Sequence, residues 1–298
     1  MITPRTDLAV EAARRLSLSR DLEGVTRDID IVEAAQLEIA DITIKTSAAA
    51  REIGRPKGRY ITLKALDGSF AGYCPCCDER VKLLAEKLRA LAGNARRVLV
   101  AGLGNRHLTA DSLGPLTVDK VFATRHLMGL SHELDVSGLT EVSAVETGVL
   151  GQTGIESTEQ IKALCAALRP DLVIAVDALA CWDLDHLGRT IQLCDTGISP
   201  GSGVENSRKE LSRATLGTAC IAIGVPMVVD LASAAEMIFN APAPENSARL
   251  TVTPDSIDRL AASAASYIAD GINLAFQRSL SASEIRSLIS FTSLIHNS

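Results

Sequence analysis

Two aspartates stand where α/β proteins place their chemistry. Asp111 lies beyond the apolar run Val98-Leu99-Val100-Ala101, and Asp177 directly follows Leu172-Val173-Ile174-Ala175-Val176. Short continuous apolar runs of this kind suit strands buried on both faces of a parallel sheet. In open α/β sheets ligands bind beyond the carboxyl ends of such strands. If the two strands are neighbours, both carboxyls converge on one rim. Two carboxyls within reach of each other do not both ionise cheaply, so one keeps a proton and the other can activate water. An aspartate after a strand also serves as a turn residue or helix cap. Residue chemistry alone therefore leaves two readings: an α/β enzyme of unspecified reaction, or a small-molecule-binding domain without catalysis.

Other motifs carry less. Gly102-Leu103-Gly104 lacks the third glycine of a dinucleotide fingerprint, and no Gly-Lys-Ser/Thr follows to make a phosphate loop. Gly197-Ile198-Ser199-Pro200-Gly201 fits the spacing of a serine-hydrolase elbow. That elbow takes an oxyanion donor from the residue after the serine, and Pro200 has no N–H to give. Cys74-Pro75-Cys76-Cys77 offers three thiols in four residues, without a second Cys/His pair to complete a zinc site. The five histidines are dispersed. His126 reads as a structural residue where a helix packs.

The elements that must hold these groups follow from periodicity. Residues 1–26 are polar, with a short helix over 10–16, and 29–44 alternates as one or two half-buried antiparallel strands. A turn at 54–58 precedes a strand at 60–65 and a loop at 68–77. Val81, Leu84, Leu88 and Leu91 share one face of a helix over 78–92, closed by Gly93. From residue 97 strands and helices alternate. Strands are predicted at 98–101, 142–145, 172–177, 190–194 and 219–223, and helices near 115–128, up to 168, over 229–239 and from 254 to 276. Thr253 is the expected cap of the last of these, and Ser281-x-x-Glu284 is a capping box for a final helix. The pattern predicts an α/β fold with a mixed, mostly parallel sheet flanked by helices.

Composition narrows the class. The chain has 298 residues, 47% of them hydrophobic, a net charge of −6 and no basic run. A nucleic-acid or anionic-membrane partner is not expected from that charge. No apolar stretch approaches the roughly 18 residues that span a bilayer, and the polar amino end does not read as a secretory signal. Seven scattered cysteines fit a reducing, cytoplasmic compartment.

A set of longer motifs then points to a family. They are Arg5-Thr6-Asp7-Leu8-Ala9-Val10-Glu11-Ala12, Lys57-Gly58-Arg59-Tyr60-Ile61-Thr62-Leu63, Gly102-Leu103-Gly104-Asn105 and Ala110-Asp111-Ser112-Leu113-Gly114-Pro115. Thr124-Arg125-His126-Leu127, the segment from Gly148 to Glu156, Ile174 to Ala180, Asp195 to Val204, and Ala222 to Pro226 continue the series. With these the chain resembles the germination protease (spore protease) family over nearly its whole length. The resemblance implies a fold similar to that of the hydrogenase maturation proteases. It also implies an atypical aspartic endopeptidase, working without metal or other cofactor. The expected partners are small acid-soluble spore proteins, as substrate in the spore core, and further copies of the chain in a homotetramer.

The family's proposed catalytic aspartates fall on Asp111 and Asp177. Its members are made as zymogens and cut after an acidic residue and before an apolar one. Residues 1–7 are thus a candidate propeptide released by cutting Asp7–Leu8, ahead of a single protease domain over 8–298. That domain divides into amino-terminal strands and helix (8–95) and an α/β core with carboxyl-terminal helices (96–298). Gly104, Asn105, Gly151, Asp195, Gly201, Arg208 and Lys209 are expected to bound the substrate cleft, the two bases as candidates to select the acidic residue. Arg106-His107, the short segment 239–251 and the Cys74–Cys77 cluster depart from the family pattern. Two rival readings are a metal-dependent maturation endopeptidase of the same fold and a non-catalytic peptide-binding homologue.

Overall fold

The computed structural model describes residues 6–17, 22–73, 78–129, 136–199, 209–239 and 250–295. Helix α1 (Ala9–Ser17) leads into an antiparallel meander, β1 (Val25–Val32), β2 (Leu37–Ile44) and, after α2 (Ser47–Ile53), β3 (Gly58–Ala65). Helix α3 (Asp78–Ala92) and strand β4 (Arg97–Leu103) open the α/β part. There follow α4 (Leu113–Val118), α5 (Arg125–Met128), β5 (Glu141–Gly148), α6 (Leu150–Thr153), α7 (Ser157–Leu168) and β6 (Leu172–Cys181). Then come β7 (Thr190–Cys194), α8 (Arg213–Leu216), β8 (Ala219–Asp230) and α9 (Leu231–Phe239). The chain closes with β9 (Thr251–Val252), α10 (Ile257–Phe276) and α11 (Ala282–Ile295).

The nine strands of the described residues share one sheet in the order β1-β2-β3-β7-β8-β6-β4-β5, with β9 beside β8. The expected mixed α/β sheet is present. Its parallel part is confined to β8-β6-β4-β5, and the antiparallel part is larger than the alternation of strands and helices predicts. The β6 strand is buried along nearly its whole length, as a strand covered on both faces must be.

On one face, Leu172, Ile174 and Val176 of β6 join Leu84 and Leu88 of α3 and Ala264, Ile268 and Ile272 of α10 in a single cluster. There α10 crosses α3 closely, and a side chain at Gly271 would lie 2.4 Å from Leu84. Tyr267 is fully buried between Phe70 and Tyr73, its hydroxyl donating to the Arg80 carbonyl (2.7 Å). The other face is covered by two separate clusters. Val173 and Ala175 pack with α7 and α8, whereas Leu179 and Cys181 pack with α1 and with Tyr60, Cys194 and Ala222. Cys165, Cys181, Cys194 and Cys220 are free and buried, as thiols inside apolar runs are expected to be.

Several local expectations change. The single helix near 115–128 is two short ones, α4 and α5. The break is held by Asn273 of α10, whose side chain accepts from Phe122 N (2.8 Å) and donates to the Lys120 carbonyl (2.9 Å). His126 is exposed on α5 and packs no core, so its structural reading fails. Among the described residues the buried histidine is His186. Helix α10 begins at Ile257 with Ser256 before it, so Thr253 does not cap it. Ser281 and Glu284 do form the expected capping box, with Glu284 accepting from Ser281 N (2.7 Å). Strands β6 and β8 both outrun their predicted ends. The β8 strand absorbs Pro226 at a register shift opposite Leu179 and Ala180, the kind of irregularity where proline is tolerated in a sheet.

Candidate active site

The rim at the end of β4 is built on glycines. A side chain on Gly114 would meet the Leu103 backbone at 2.3–2.4 Å and the Val176 carbonyl at 2.6 Å, so α4 rests directly on β4 and β6. Gly104 has φ +104°, and a side chain there would strike the Asp111 carbonyl at 2.1 Å. Glycine is required at a left-handed turn with no room above it. The chain then folds back: Asn105 N donates to both the Asp111 carbonyl (3.0 Å) and its Oδ2 (2.9 Å). Asp111 is thereby fixed at the end of a one-turn 3-10 helix, 109–111, that packs against β6 and β8.

Asp177 sits inside β6, not at its end, and is 5% exposed. Its neighbours are set by register. Gly102 of β4 pairs with Val176, one residue earlier, and Asp177 itself pairs with Gly224 of β8, which pairs with Gln192 of β7. Directly paired residues point to the same face of a sheet. Gln192 and Asp177 therefore flank Gly224 on one face, the row falling at the seam between the two core clusters there. Gly224 keeps that row open: a side chain would lie 2.5 Å from Leu179 and 2.8 Å from the Asp177 carbonyl. A cleft of about 190 Å³ lies over the Gln192–Gly224 end of the row, with Asp7, Arg55, Leu179 and Glu210 also among its walls; neither Asp177 nor Asp111 lines it. The β4 and β6 strands are parallel neighbours, the condition under which the sequence reading expects the two aspartates to converge.

The amino-terminal segment forms part of that cleft's wall at Asp7. β4 stops pairing with β6 at Val176, which leaves the edge of β6 beyond Asp177 uncovered by β4. Asp7 takes the place: its N–H donates to the Ala180 carbonyl (2.8 Å), and its Oδ2 accepts from Ala180 N (2.8 Å). Arg55 donates to the Thr6 carbonyl. Gln192 Nε2 donates to the Asp7 carbonyl (3.0 Å), and its Oε1 accepts from Ala9 N (2.7 Å). Leu8, between them, is fully buried. Glu11 anchors the far end by accepting from Trp182 N (2.9 Å) and Asp183 N (2.8 Å), and burial raises its pKa above the usual carboxylate value.

The other expected cleft residues divide. Asn105 is on the rim, and its Oδ1 accepts from Gln152 of α6 (2.8 Å), which ties the 148–154 loop to the Asp111 turn. Gly151 lies in α6, with open space where a side chain would stand. Asp195 accepts from Arg59 N (2.8 Å) and holds the start of β3, just outside the cleft wall. Lys209 is exposed and paired with Glu159 (3.2 Å). Arg106, the residue that departs from the family pattern, bridges Asp119 and Glu146 on the exposed rim, and both partners raise its pKa. Gly201, Arg208, the Cys74–Cys77 cluster, residues 1–5 of the candidate propeptide and the segment 240–249 lie outside the described residues. Among the described residues no group of three or more His, Cys, Asp or Glu side chains is placed to hold a metal ion, and no helix is long and apolar enough to cross a membrane. Sequence reasoning missed Arg55 and Gln192, because nothing local marks either as a neighbour of residues 6–9.

Comparison with known proteins gives these features a context. The family model described as germination protease matches residues 5–241. A germination protease of Clostridium perfringens is 34% identical over 97% of this chain and 100% of its own length. That of Oceanobacillus iheyensis is 42% identical over 76% of this chain and 64% of its own. Among solved structures, the NiFe hydrogenase maturation protease HycI of Thermococcus kodakarensis aligns with a TM-score of 0.37 and 19% identity, over 62% of this chain and 98% of that one. Both the length of the match to the family model and the full-length identity to the clostridial relative lead to one conclusion: the chain belongs to the germination protease family, a family of peptidases.

Proposed function

We propose that this chain is an endopeptidase of spore germination that hydrolyses small acid-soluble spore proteins, cutting after an acidic residue and before an apolar one, with Asp111 and Asp177 as its catalytic pair. The observation that carries this reading is the packing of the Asp111 turn against β6, the strand that bears Asp177. In the reaction, the ionised carboxylate of the pair takes a proton from water as the water attacks the scissile carbonyl. The protonated partner then supplies the proton that the leaving amine needs. The enzyme is made as a zymogen and matures by cutting its own Asp7–Leu8 bond. In support of this, Thr6-Asp7-Leu8-Ala9 has the acidic-then-apolar form, and Asp7 both lines the cleft and bonds the backbone of Ala180 on the Asp177 strand.

The test is digestion of a purified acid-soluble spore protein by the full chain and by Asp111→Asn and Asp177→Asn. General acid–base groups typically contribute 10²- to 10⁴-fold, so each variant is expected to lose at least about 100-fold in rate while keeping its melting temperature within a few degrees. Undiminished cleavage by either variant would reject the pair. Loss of wild-type activity to a chelator would favour a metal-dependent endopeptidase instead, and no cleavage at all a peptide-binding homologue.

A further inference from the structure

Gln192 has a bonding pattern that its place in the sheet does not require. It lies in the middle of a five-residue strand, 6% exposed, and spends its side chain on residues 7 and 9 of the amino-terminal segment. Its Nε2 donates to the Asp7 carbonyl at 3.0 Å and its Oε1 accepts from Ala9 N at 2.7 Å. The amide cannot be turned over without setting two donors and two acceptors against each other, so its orientation is fixed by its partners. The Asp7 carbonyl is the carbonyl of the Asp7–Leu8 bond, and Gln192 lies in the same row and on the same face as Asp177, separated from it by side-chain-free Gly224.

We propose that Gln192 is the oxyanion-binding residue of this peptidase, and that its amide also fixes register by bonding the N–H two residues beyond that carbonyl. The inference rests on the reading above that Asp7–Leu8 is the bond cut. As water oxygen bonds to the Asp7 carbonyl carbon, the C=O π pair moves onto the oxygen, and the water's proton passes to a carboxylate of the aspartate pair. The Gln192 N–H is already aimed at the oxygen on which the charge develops. On collapse the C=O bond re-forms, the C–N bond breaks and the Leu8 nitrogen takes a proton from the pair. A preorganised neutral donor of this kind strengthens its bond as the oxygen becomes charged, which is the condition for lowering the barrier. The second bond, to Ala9 N at the start of α1, pins the segment on both sides of Leu8 so that the scissile carbonyl does not slide along the row.

The experiment follows self-processing of the full chain by intact mass, as the first-order rate at which the Leu8 amino terminus appears, for wild type, Gln192→Ala and Gln192→Glu. Loss of one oxyanion donor costs about 10²- to 10³-fold. Both variants are expected to slow processing by at least about 100-fold at pH 7. Gln192→Glu keeps the volume and the acceptor for Ala9, so it decides the matter should Gln192→Ala fail to fold. Its rate relative to wild type is expected to recover as pH falls toward the carboxyl range, near 4.3 in the unperturbed group, because a protonated carboxyl again has a donor. A merely structural role would not produce that rise. Processing by Gln192→Glu within threefold of wild type at pH 7, or a ratio flat with pH, overturns the proposal alone. Failure of wild type to cut between Asp7 and Leu8 overturns the underlying reading and this proposal together.

Discussion

His186 sits buried at the end of a short 3-10 turn, its Nδ1 2.8 Å from the Thr190 hydroxyl. Burial, helped by the nearby Lys64 charge, pushes its pKa down to about 4 from 6.5. The native state therefore keeps the imidazole neutral where the unfolded chain would take a proton. Stability from this group is fully present above pH 6.5 and is lost as pH falls toward 4. The full shift corresponds to roughly 3 kcal/mol. Urea unfolding at pH 7 and pH 4.5 should show a steeper loss for wild type than for His186→Gln; parallel losses would mean that another group sets the acid limb. At this scale the sequence was informative where chemistry is local. Asp111 and Asp177 are marked by the apolar runs before them, and Ser281 and Glu284 by their spacing. Nothing comparable marks Gln192, whose partners lie more than 180 residues away.

Elements were legible in proportion to how far their ends depend on neighbours. Helix α3 and strand β7 match their predicted bounds, because Gly93 and the alternation of 190–194 are local signals. The β6 strand overruns its expected end because pairing with β8 continues past Asp177, and no local residue announces that. The break between α4 and α5 was invisible for the same reason, since the Asn273 that holds it is on α10. The seat of α4 gives a test at this scale. A methyl at Gly114 meets backbone atoms of Leu103 and Val176, which cannot step aside as a flexible side chain would. Gly114→Ala is expected to cost about 1–3 kcal/mol and to lower peptidase activity as the Asp111 turn lifts with the helix. Chemical denaturation beside an activity assay measures both. Unchanged stability would show that α4 is free to shift.

At the scale of the whole molecule, the amino terminus is sewn onto the sheet it precedes. Leu8 fills the cluster beneath α1 and α2, and Glu11 closes on the backbone after β6. Leu8→Ala empties a fully buried site, and truncations of this type cost about 2–5 kcal/mol. A lowered urea midpoint at unchanged m-value is the expected outcome. A loss under 1 kcal/mol would mean that the segment contributes little to holding the sheet together. The mixed sheet itself was foreshadowed by the change of rhythm at residue 97. The order in which β7 and β8 join its two halves was not, because that order is decided by long-range pairing.

The four interior cysteines give the fold a built-in clock. Burial raises the pKa of all four, that of Cys220 to about 12. Only thiolates react quickly with alkylating reagents, so a native molecule holds these sulfurs silent at neutral pH. Each one that becomes labelled has been exposed by an opening of the structure around it. Mass spectrometry of such labels over time would thus rank the four neighbourhoods by how often they come apart.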